Sequence, residues 1–431
     1  MGESSSIDIE LIRKRLSPAS NPSLVPTSCI YRVEKRIRKM NEDAYTPDTI
    51  SIGPYHRDKQ NSQMLAMEDL KSRYVQALLI RTSERISLED YLKALKKLET
   101  EARGCYSELI NYEENYFIEL MLFDGLFILE LFRKYSHDVD VEESDPIFHS
   151  NLGRTRVVRD LLLLENQIPM SVLEKLFDLS KDPKVDKKSL IELALNFFEA
   201  LIPDGMYKYK KTINPPKHLL DLLSYTLGSS LPQVTKLASS TAQESLPCVM
   251  ELQRSGVKFE KGSEDGSLMD IKFNEGVYEI PPLCVGGYTE AFFRNLIAYE
   301  QQGYRGRHHV TSYAILMDYL INSADDVAFL RDREIIKNQL GEDKKVLSLF
   351  NNLCTGIFAD EFYYGDLCDN VHAYYNRPCN KWKADFKRDY CSSPWAIISV
   401  VAAILLLFLT ICSTVLTALP FFSVKEFIHK S

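Results

Sequence analysis

The sequence predicts a mainly α-helical (α+β) protein with a large helical globular body, a small antiparallel β meander and one C-terminal transmembrane helix. Three observations lead to this fold class. Apolar residues recur at intervals of three and four over most of the chain. Residues 257–280 form short runs separated by turn residues, and residues 390–424 contain no Asp, Glu, Lys or Arg. The 431 residues are 45% apolar and 26% charged, which is a normal globular composition.

Net charge and cysteine usage exclude several classes of protein. The formal charge of −8 argues against a nucleic-acid partner, because such a protein presents a basic surface to phosphates. The nine cysteines contain no C-x-x-C pair, so neither a disulfide framework nor a zinc site is predicted. No cofactor-binding motif is present, and free thiols fit a reducing compartment.

The N-terminal half is predicted to be helical after a flexible Ser- and Pro-rich segment at 1–28. Residues 50–56 read as a short strand or an extended piece that is closed by a Gly-Pro turn, and Pro169 should interrupt a helix because it lacks an amide donor. Leu88, Tyr91 and Leu95 begin an apolar stripe that continues at the same spacing to Leu109. The predicted helices are 62–82, 87–109, 117–132, 157–179, 190–201 and 218–227.

The second half begins with a Ser/Thr-rich linker predicted at 228–245. Runs at 257–260, 268–273 and 277–280 are separated by turn residues and predict the meander. Helical patterning returns at 290–302, 310–323, 324–339, 344–358 and 364–389. We therefore expect one globular region over 29–390.

Residues 395–417 predict a membrane anchor, followed by a short tail at 418–431. Twenty-three helical residues would span about 35 Å, more than the hydrocarbon core of about 30 Å. The predicted lipid contacts are Trp395, Ile404, Leu407 and Leu416, so the bilayer is a predicted partner. A buried core helix is the alternative interpretation.

Basic residues are more numerous before this segment than after it. The positive-inside rule then predicts a single-pass protein with a cytosolic body, in the plasma membrane or the endoplasmic reticulum. The N-terminal Met-Gly-x-x-x-Ser pattern makes Gly2 a candidate for myristoylation, with an ordinary flexible start as the alternative. A basic cluster could touch anionic lipid or form a solvated face; it comprises Arg32, Lys35, Arg36, Arg38 and Lys39.

No catalytic motif was found, so no catalytic residue is assigned. Charged residues inside apolar helices are candidates for a buried polar network, and each should find a partner because burial of unpaired charge is costly. Structural ion pairs are favoured over an acid/base site. These candidates are Glu119, Asp124, Glu130, Arg159, Asp160 and Glu165. His56 reads as structural, and the adjacent His308 and His309 point apart and make a poor metal site.

The chain contains five ordered motifs: IYRVEKRIRKMNEDAYTPDTISIGPYH, LLLLENQIP, LMDIKFNEGVYEIPPL, NLIAYEQ and RDYCSSPWAIISVVAAILLLFLT. With them it closely resembles the plant family catalogued as domain of unknown function 247, or uncharacterised protein family 0481. The resemblance implies a plant membrane protein without an assigned reaction. Some grass members are associated with pollen self-incompatibility, an association that does not transfer to this member of a large family.

The leading functional hypothesis is a membrane-anchored, non-enzymatic protein-interaction or recognition/signalling component with an unknown protein partner. The alternative is a membrane-anchored enzyme with an unrecognised active site, which would gain support from a deep pocket lined by polar groups with shifted pKa values. A third hypothesis is a structural element of a membrane or cell-wall junction. The sequence leaves the oligomeric state open.

Overall fold

The computed structural model describes residues 28–58, 61–182, 187–201, 215–228, 246–264, 267–303, 308–357, 362–377, 398–399 and 401–415. The chain divides into two compact units. Unit 1 comprises Met1–Ile202, Met206–Thr226 and Tyr288–Arg305, and unit 2 comprises Pro203–Gly205, Leu227–Gly287 and Gly306–Ser431. Three predictions fall on residues outside the described ones: the flexible segment with Gly2 before residue 28, the linker after residue 228, and the tail at 418–431.

Unit 1 is built from helices, as the apolar spacing predicts. They are α1 (Lys35–Arg38), α2 (Ser62–Thr82), α3 (Leu88–Gly104), α4 (Glu114–Tyr135), α5 (Asn151–Leu161), α6 (Met170–Ser180), α7 (Leu190–Phe197), α8 (Leu219–Gly228) and, later in the chain, α10 (Thr289–Gly303). Helix α4 is the centre of this unit and contacts α2, α3, α6 and α7. Its residues are buried nearly all round, which agrees with the apolar character of 117–132.

Side-chain caps set where the first long helices begin. Asn61 accepts a hydrogen bond of 2.8 Å from the Met64 amide at the start of α2. Ser87 and Asp90 form a reciprocal capping box at the start of α3. Helix α3 ends at Gly104, five residues before the predicted end, so Leu109 lies beyond it and is 86% exposed.

The predicted interruption at Pro169 is present. Helix α5 ends at Leu161, and α6 begins at Met170 directly after Pro169. The intervening residues 162–169 are buried, although they form no regular element. A buried loop must find partners for its backbone polar groups, and this loop becomes the centre of a polar network described below.

Unit 2 combines helices with two small sheets. Its described elements are α9 (Val249–Arg254), β1 (Lys258–Lys261), β2 (Lys272–Asn274), β3 (Val277–Ile280), β4 (Leu283–Val285), α11 (His309–Leu320), α12 (Ala324–Asp332), β5 (Ile336–Asn338), α13 (Asp343–Leu353) and α14 (Gly365–Tyr375). The aromatic rings of Phe259 and Tyr278 stack with centroids 5.4 Å apart across β1 and β3.

The predicted antiparallel meander is wrong in one of its two pairings. Strands β2 and β3 form an antiparallel hairpin, turning at Glu275 and Gly276, which both have positive φ. Strand β1 instead pairs with β3 in parallel, so the order is β1-β3-β2. Alternation along a strand sets which side chains share a face, but not the direction of its partner. A second sheet pairs β4 with β5 in parallel, so the end of the helix predicted at 324–339 is a strand.

The predicted transmembrane helix is not upheld. No helix within the described residues is both long enough and apolar enough to cross a membrane. Ile404 and Leu407 lie in the described helical residues 401–415, and both side chains are exposed. Trp395 and Leu416 lie outside the described residues. The bilayer as a partner and the single-pass membrane location depended on that helix, and both predictions are withdrawn with it.

Candidate functional site

An apolar cleft of about 510 Å³ opens between helices α2, α3 and α4 of unit 1. Ile118 and Leu122 of α4 are buried at its base. Leu88 and Leu92 of α3 are 44% and 37% exposed at its wall. The complete lining is Val75, Leu79, Leu88, Leu92, Lys93, Lys96, Asn115, Ile118, Glu119, Leu122 and Phe123. Large apolar side chains are therefore open to solvent in a concave surface.

The charged residues of the cleft differ in sign between two walls. Lys93 and Lys96 belong to α3, whereas Glu119 belongs to α4. The Lys96 ammonium lies 3.0 Å from the Glu114 carboxylate, and both side chains are well exposed. A ligand in this cleft meets an apolar floor with positive charge along one wall and negative charge on another.

The cleft arises because α3 carries two apolar faces. Tyr91, Leu95 and Ala102 are buried in the packing of α3. Leu88 and Leu92, four residues apart, form a second and shorter face that lines the cleft. The stripe predicted from sequence merged Leu88 with the buried face. Leu92, which falls outside that stripe, was the available signal for a second face.

A separate feature of unit 1 is a buried polar network centred on Glu165 in the loop between α5 and α6. The Glu165 side chain is completely buried. It accepts hydrogen bonds from Arg32, from Arg38 and from the Val33 amide, the last at 2.7 Å. His56 Nε2 lies 3.1 Å from the same carboxylate. Burial raises the pKa of Glu165, but the His56 contact, the Arg38 charge and the Val33 amide outweigh it and lower that pKa to about 2.

The next two members of the network, Asp160 and Asn166, bind backbone groups of residues 48–52, as a neighbouring strand would. Asp160 accepts from the amides of Thr49 and Ile50 at 2.7 and 2.9 Å. Asn166 accepts from the Ile52 amide at 2.7 Å and donates to the Ile50 carbonyl at 3.0 Å. These bonds anchor residues 48–52, which belong to no strand. Burial raises the pKa of Asp160, against the effect of its amide donors and Arg159.

A third carboxylate, Asp124 of α4, is paired with Lys71 of α2. The Lys71 ammonium lies 2.6 Å from one oxygen of Asp124, and the Gly53 amide donates to the other at 2.7 Å. Lys71 also donates to the Ser51 carbonyl and contacts Glu68 at 2.9 Å. Burial raises the pKa of Asp124, while the charges of Lys71 and Arg57 oppose this shift.

Most of the predicted network candidates therefore have structural partners. Glu130 binds Arg81 through two hydrogen bonds of 2.7 and 2.5 Å, and Arg159 lies 2.7 Å from Asp160. Glu119 is the exception, because it is exposed at the cleft. Two members of the predicted basic cluster, Arg32 and Arg38, also belong to this network, because they bind Glu165. Sequence patterns could not identify Lys71 and Arg81 as partners, because each is distant along the chain from the carboxylate that it contacts.

His308 is the N-cap residue of α11, and His309 is the first residue of that helix. The ring of His309 lies 4.1 Å from that of Tyr363, centroid to centroid. Within the described residues, no group of three or more His, Cys, Asp or Glu side chains is placed to hold a metal ion.

Gly53 directly follows residues 48–52 and donates its amide to Asp124, and its substitution should be costly. It has φ of +71°, and a Cβ atom there would lie 2.6 Å from the Gln167 carbonyl oxygen. We expect Gly53→Ala to lower the free energy of unfolding by about 2–4 kcal/mol, measured by urea denaturation. Gly341→Ala is the control, because it has φ of +85° but no heavy atom within 4 Å. It should cost only about 1–2 kcal/mol. Equal losses would show that the close approach is unimportant.

The fold and site define a class: a mainly helical protein with an open apolar cleft and with buried charges that are engaged by its own backbone and side chains. The chain belongs to the DUF247 family, described as plant protein of unknown function, whose sequence profile matches residues 30–409. It is 30% identical to the Arabidopsis thaliana UPF0481 protein At3g47200, over 92% of this chain and 88% of that protein. It is 23% identical to the putative UPF0481 protein At3g02645 of the same plant, over 89% of each. No solved structure gives a significant match.

Proposed function

We propose that this chain is a non-enzymatic interaction protein that binds an amphipathic helix of a partner protein in the cleft between α2, α3 and α4. The observation that carries the proposal is the exposure of Leu88 and Leu92 in a concave, largely apolar surface. Grooves of this kind accept helices that present apolar residues at i, i+3, i+4 and i+7. A cleft of about 510 Å³ accommodates several such side chains.

The charges at the cleft specify the partner further. Lys93 and Lys96 on α3 favour carboxylates along one edge of the bound helix, and Glu119 on α4 favours a basic residue along another. The partner segment is therefore an amphipathic helix whose apolar stripe is flanked by charges of opposite sign. Such complementary charges fix the direction in which the helix lies.

The locations of the three buried acids with shifted pKa values favour binding over catalysis. Glu165, Asp160 and Asp124 are each occupied by cations and backbone amides of the chain. None of them lines the cleft. An acid or base must reach the proton that it transfers, so these groups support a role in holding the fold.

A designed helical peptide provides the direct test. We expect a fluorescent peptide of about 18 residues, with Leu at i, i+3, i+4 and i+7, Glu along one edge and Lys along the other, to bind with micromolar affinity by anisotropy. Leu92→Glu should weaken binding at least about tenfold, because a buried leucine contributes about 1.5–3 kcal/mol. Leu109→Glu is the matched control, since Leu109 is exposed but outside the cleft.

A charge reversal tests the orientation separately. Lys93→Glu should weaken binding of this peptide, whereas Lys97→Glu, on the same helix but outside the lining, should leave binding unchanged. Laurate is a competing probe for the same surface. Binding of laurate without binding of the peptide would overturn the proposal in favour of a small amphiphile, and equal affinities for wild type and Leu92→Glu would exclude this cleft.

A further inference from the structure

Two cysteines of unit 1 meet where the first described residues pair with the end of α3. The amides of Cys29 and Ile30 both donate to the Cys105 carbonyl, at 2.8 and 2.9 Å. The Ser107 amide donates back to the Ile30 carbonyl at 2.9 Å, and Ile30 and Tyr106 form a parallel bridge. This register places Cys29 directly opposite Cys105. Paired backbones lie about 4.8 Å apart, inside the range of about 4.4–6.8 Å between the Cα atoms of disulfide-linked residues.

We propose that Cys29 and Cys105 form a reversible disulfide that peroxide installs and a dithiol removes. Both residues are free thiols in this structure. Cys29 is buried and Cys105 is half-buried, so an oxidant in solution reaches Cys105 first. The inference does not depend on the proposed helix-binding function.

The surroundings of the pair support this division of roles. A hydrogen bond from the Cys29 thiol lowers the pKa of Cys105, and the same bond, together with burial, raises the pKa of Cys29. The positive charge of Lys217 opposes the rise in the pKa of Cys29 and adds to the lowering of the pKa of Cys105. Cys105 therefore forms the thiolate more readily, and thiolates are the species that react with peroxide.

A neutral histidine fixes the backbone of the buried cysteine. His218 Nε2 lies 3.1 Å from the Cys29 carbonyl oxygen, and the Asp221 amide donates to His218 Nδ1 at 3.2 Å. Since Nδ1 accepts that bond, Nε2 carries the proton and donates to Cys29. Burial lowers the pKa of His218 to about 4, which keeps this tautomer in place at neutral pH. Cys29 is thus held against Cys105 from two sides.

The chemistry balances with hydrogen peroxide as the oxidant. The Cys105 thiolate attacks one peroxide oxygen, the O–O bond breaks, and sulfenic acid and hydroxide form. The hydroxide combines with the proton that Cys105 released on forming the thiolate, and this gives one water. Cys29 sulfur then attacks the sulfenic sulfur, the S–O bond breaks, and a second water leaves. Two thiols and one peroxide give one disulfide and two waters.

The disulfide closes a loop that contains α2 and α3, so the oxidised protein should melt several degrees higher than the reduced protein.

Mapping the thiols of the full chain tests the proposal without any variant. The reduced protein is treated with a small excess of hydrogen peroxide, free thiols are alkylated, and non-reducing peptide mass spectrometry follows. We expect one dominant cross-link between Cys29 and Cys105 that dithiothreitol reverses. Oxidation of Cys105 to sulfinic acid without this cross-link, or comparable cross-linking among the other cysteines, would overturn the proposal.

Two variants separate a paired thiol from a merely reactive one. Cys29→Ala should divert Cys105 to sulfenic and sulfinic acid and abolish the redox-dependent change in melting temperature. Cys354→Ala, at a half-buried thiol of unit 2, should retain the cross-link and the melting shift. If wild type and Cys29→Ala show the same melting shift on oxidation, the disulfide does not form between these residues.

Discussion

Glu165→Gln is expected to lower the free energy of unfolding by about 3–5 kcal/mol, because breaking a buried ion pair leaves uncompensated charge. Glutamine keeps the size of the side chain and one acceptor oxygen, but the guanidinium groups of Arg32 and Arg38 lose their counter-charge. Urea denaturation monitored by circular dichroism measures the loss. Glu108→Gln is the matched control, since Glu108 contacts Arg32 at 3.2 Å with a 57% exposed side chain. It should cost at most about 1 kcal/mol.

The pH dependence of the stability of wild type and Glu165→Gln checks whether the charge of Glu165 causes this loss. The pKa of Glu165 is lowered to about 2 in the folded chain, from an ordinary value of 4.5. Its contribution to stability is therefore fully present above about pH 5 and is lost as the pH falls toward 2. Wild type should lose about 3 kcal/mol more than Glu165→Gln over that window. Parallel stability curves for the two proteins would contradict the assigned role of the carboxylate.

Lys71→Met should have a similarly large effect, about 3–5 kcal/mol of destabilisation, because it leaves the charge of Asp124 buried. Both side chains are 1% exposed, and their charged atoms lie 2.6 Å apart. Lys96→Met is the surface control: Lys96 pairs with Glu114 at 3.0 Å, but its side chain is 64% exposed. That substitution should change the stability by less than about 1 kcal/mol.

A double variant distinguishes the charge from the packing. Asp124→Asn removes the charge but keeps an oxygen for the Gly53 amide. Combined with Lys71→Met, it should be less destabilising than the sum of the two single changes by about 1–3 kcal/mol. Additive effects would mean that Lys71 stabilises the fold through Ser51 and Glu68, which it also contacts.

Several local features of the fold were predictable from residues close together in the chain. The bounds of α2 match the prediction of 62–82, because Asn61 caps the helix and apolar residues follow at helical spacing. Pro169 marks the break before α6 for lack of an amide donor. The motif order also predicted the family, and the family profile confirms it.

Pairing between distant residues could not be predicted in the same way. The sequence indicated that Asp124, Glu130, Asp160 and Glu165 need partners, and the structure supplies them. Arg32 and Glu165, however, are separated by 133 positions. The parallel pairing of β1 with β3 could not be predicted either. The pattern of residues within a strand carries no information about the direction of the neighbouring strand.

The sequence by itself determined the helical class, the local starts and breaks of helices and the need to neutralise particular acids, since these depend on neighbouring residues and on the cost of burial. Only the tertiary structure decided which cation meets which carboxylate, that Leu88 and Leu92 face an open cleft, and that Cys29 lies opposite Cys105. The structure also overturned the prediction of a membrane anchor. Hydropathy reports the composition of a segment, whereas a membrane span requires an apolar helix of sufficient length. The described residues contain no such helix.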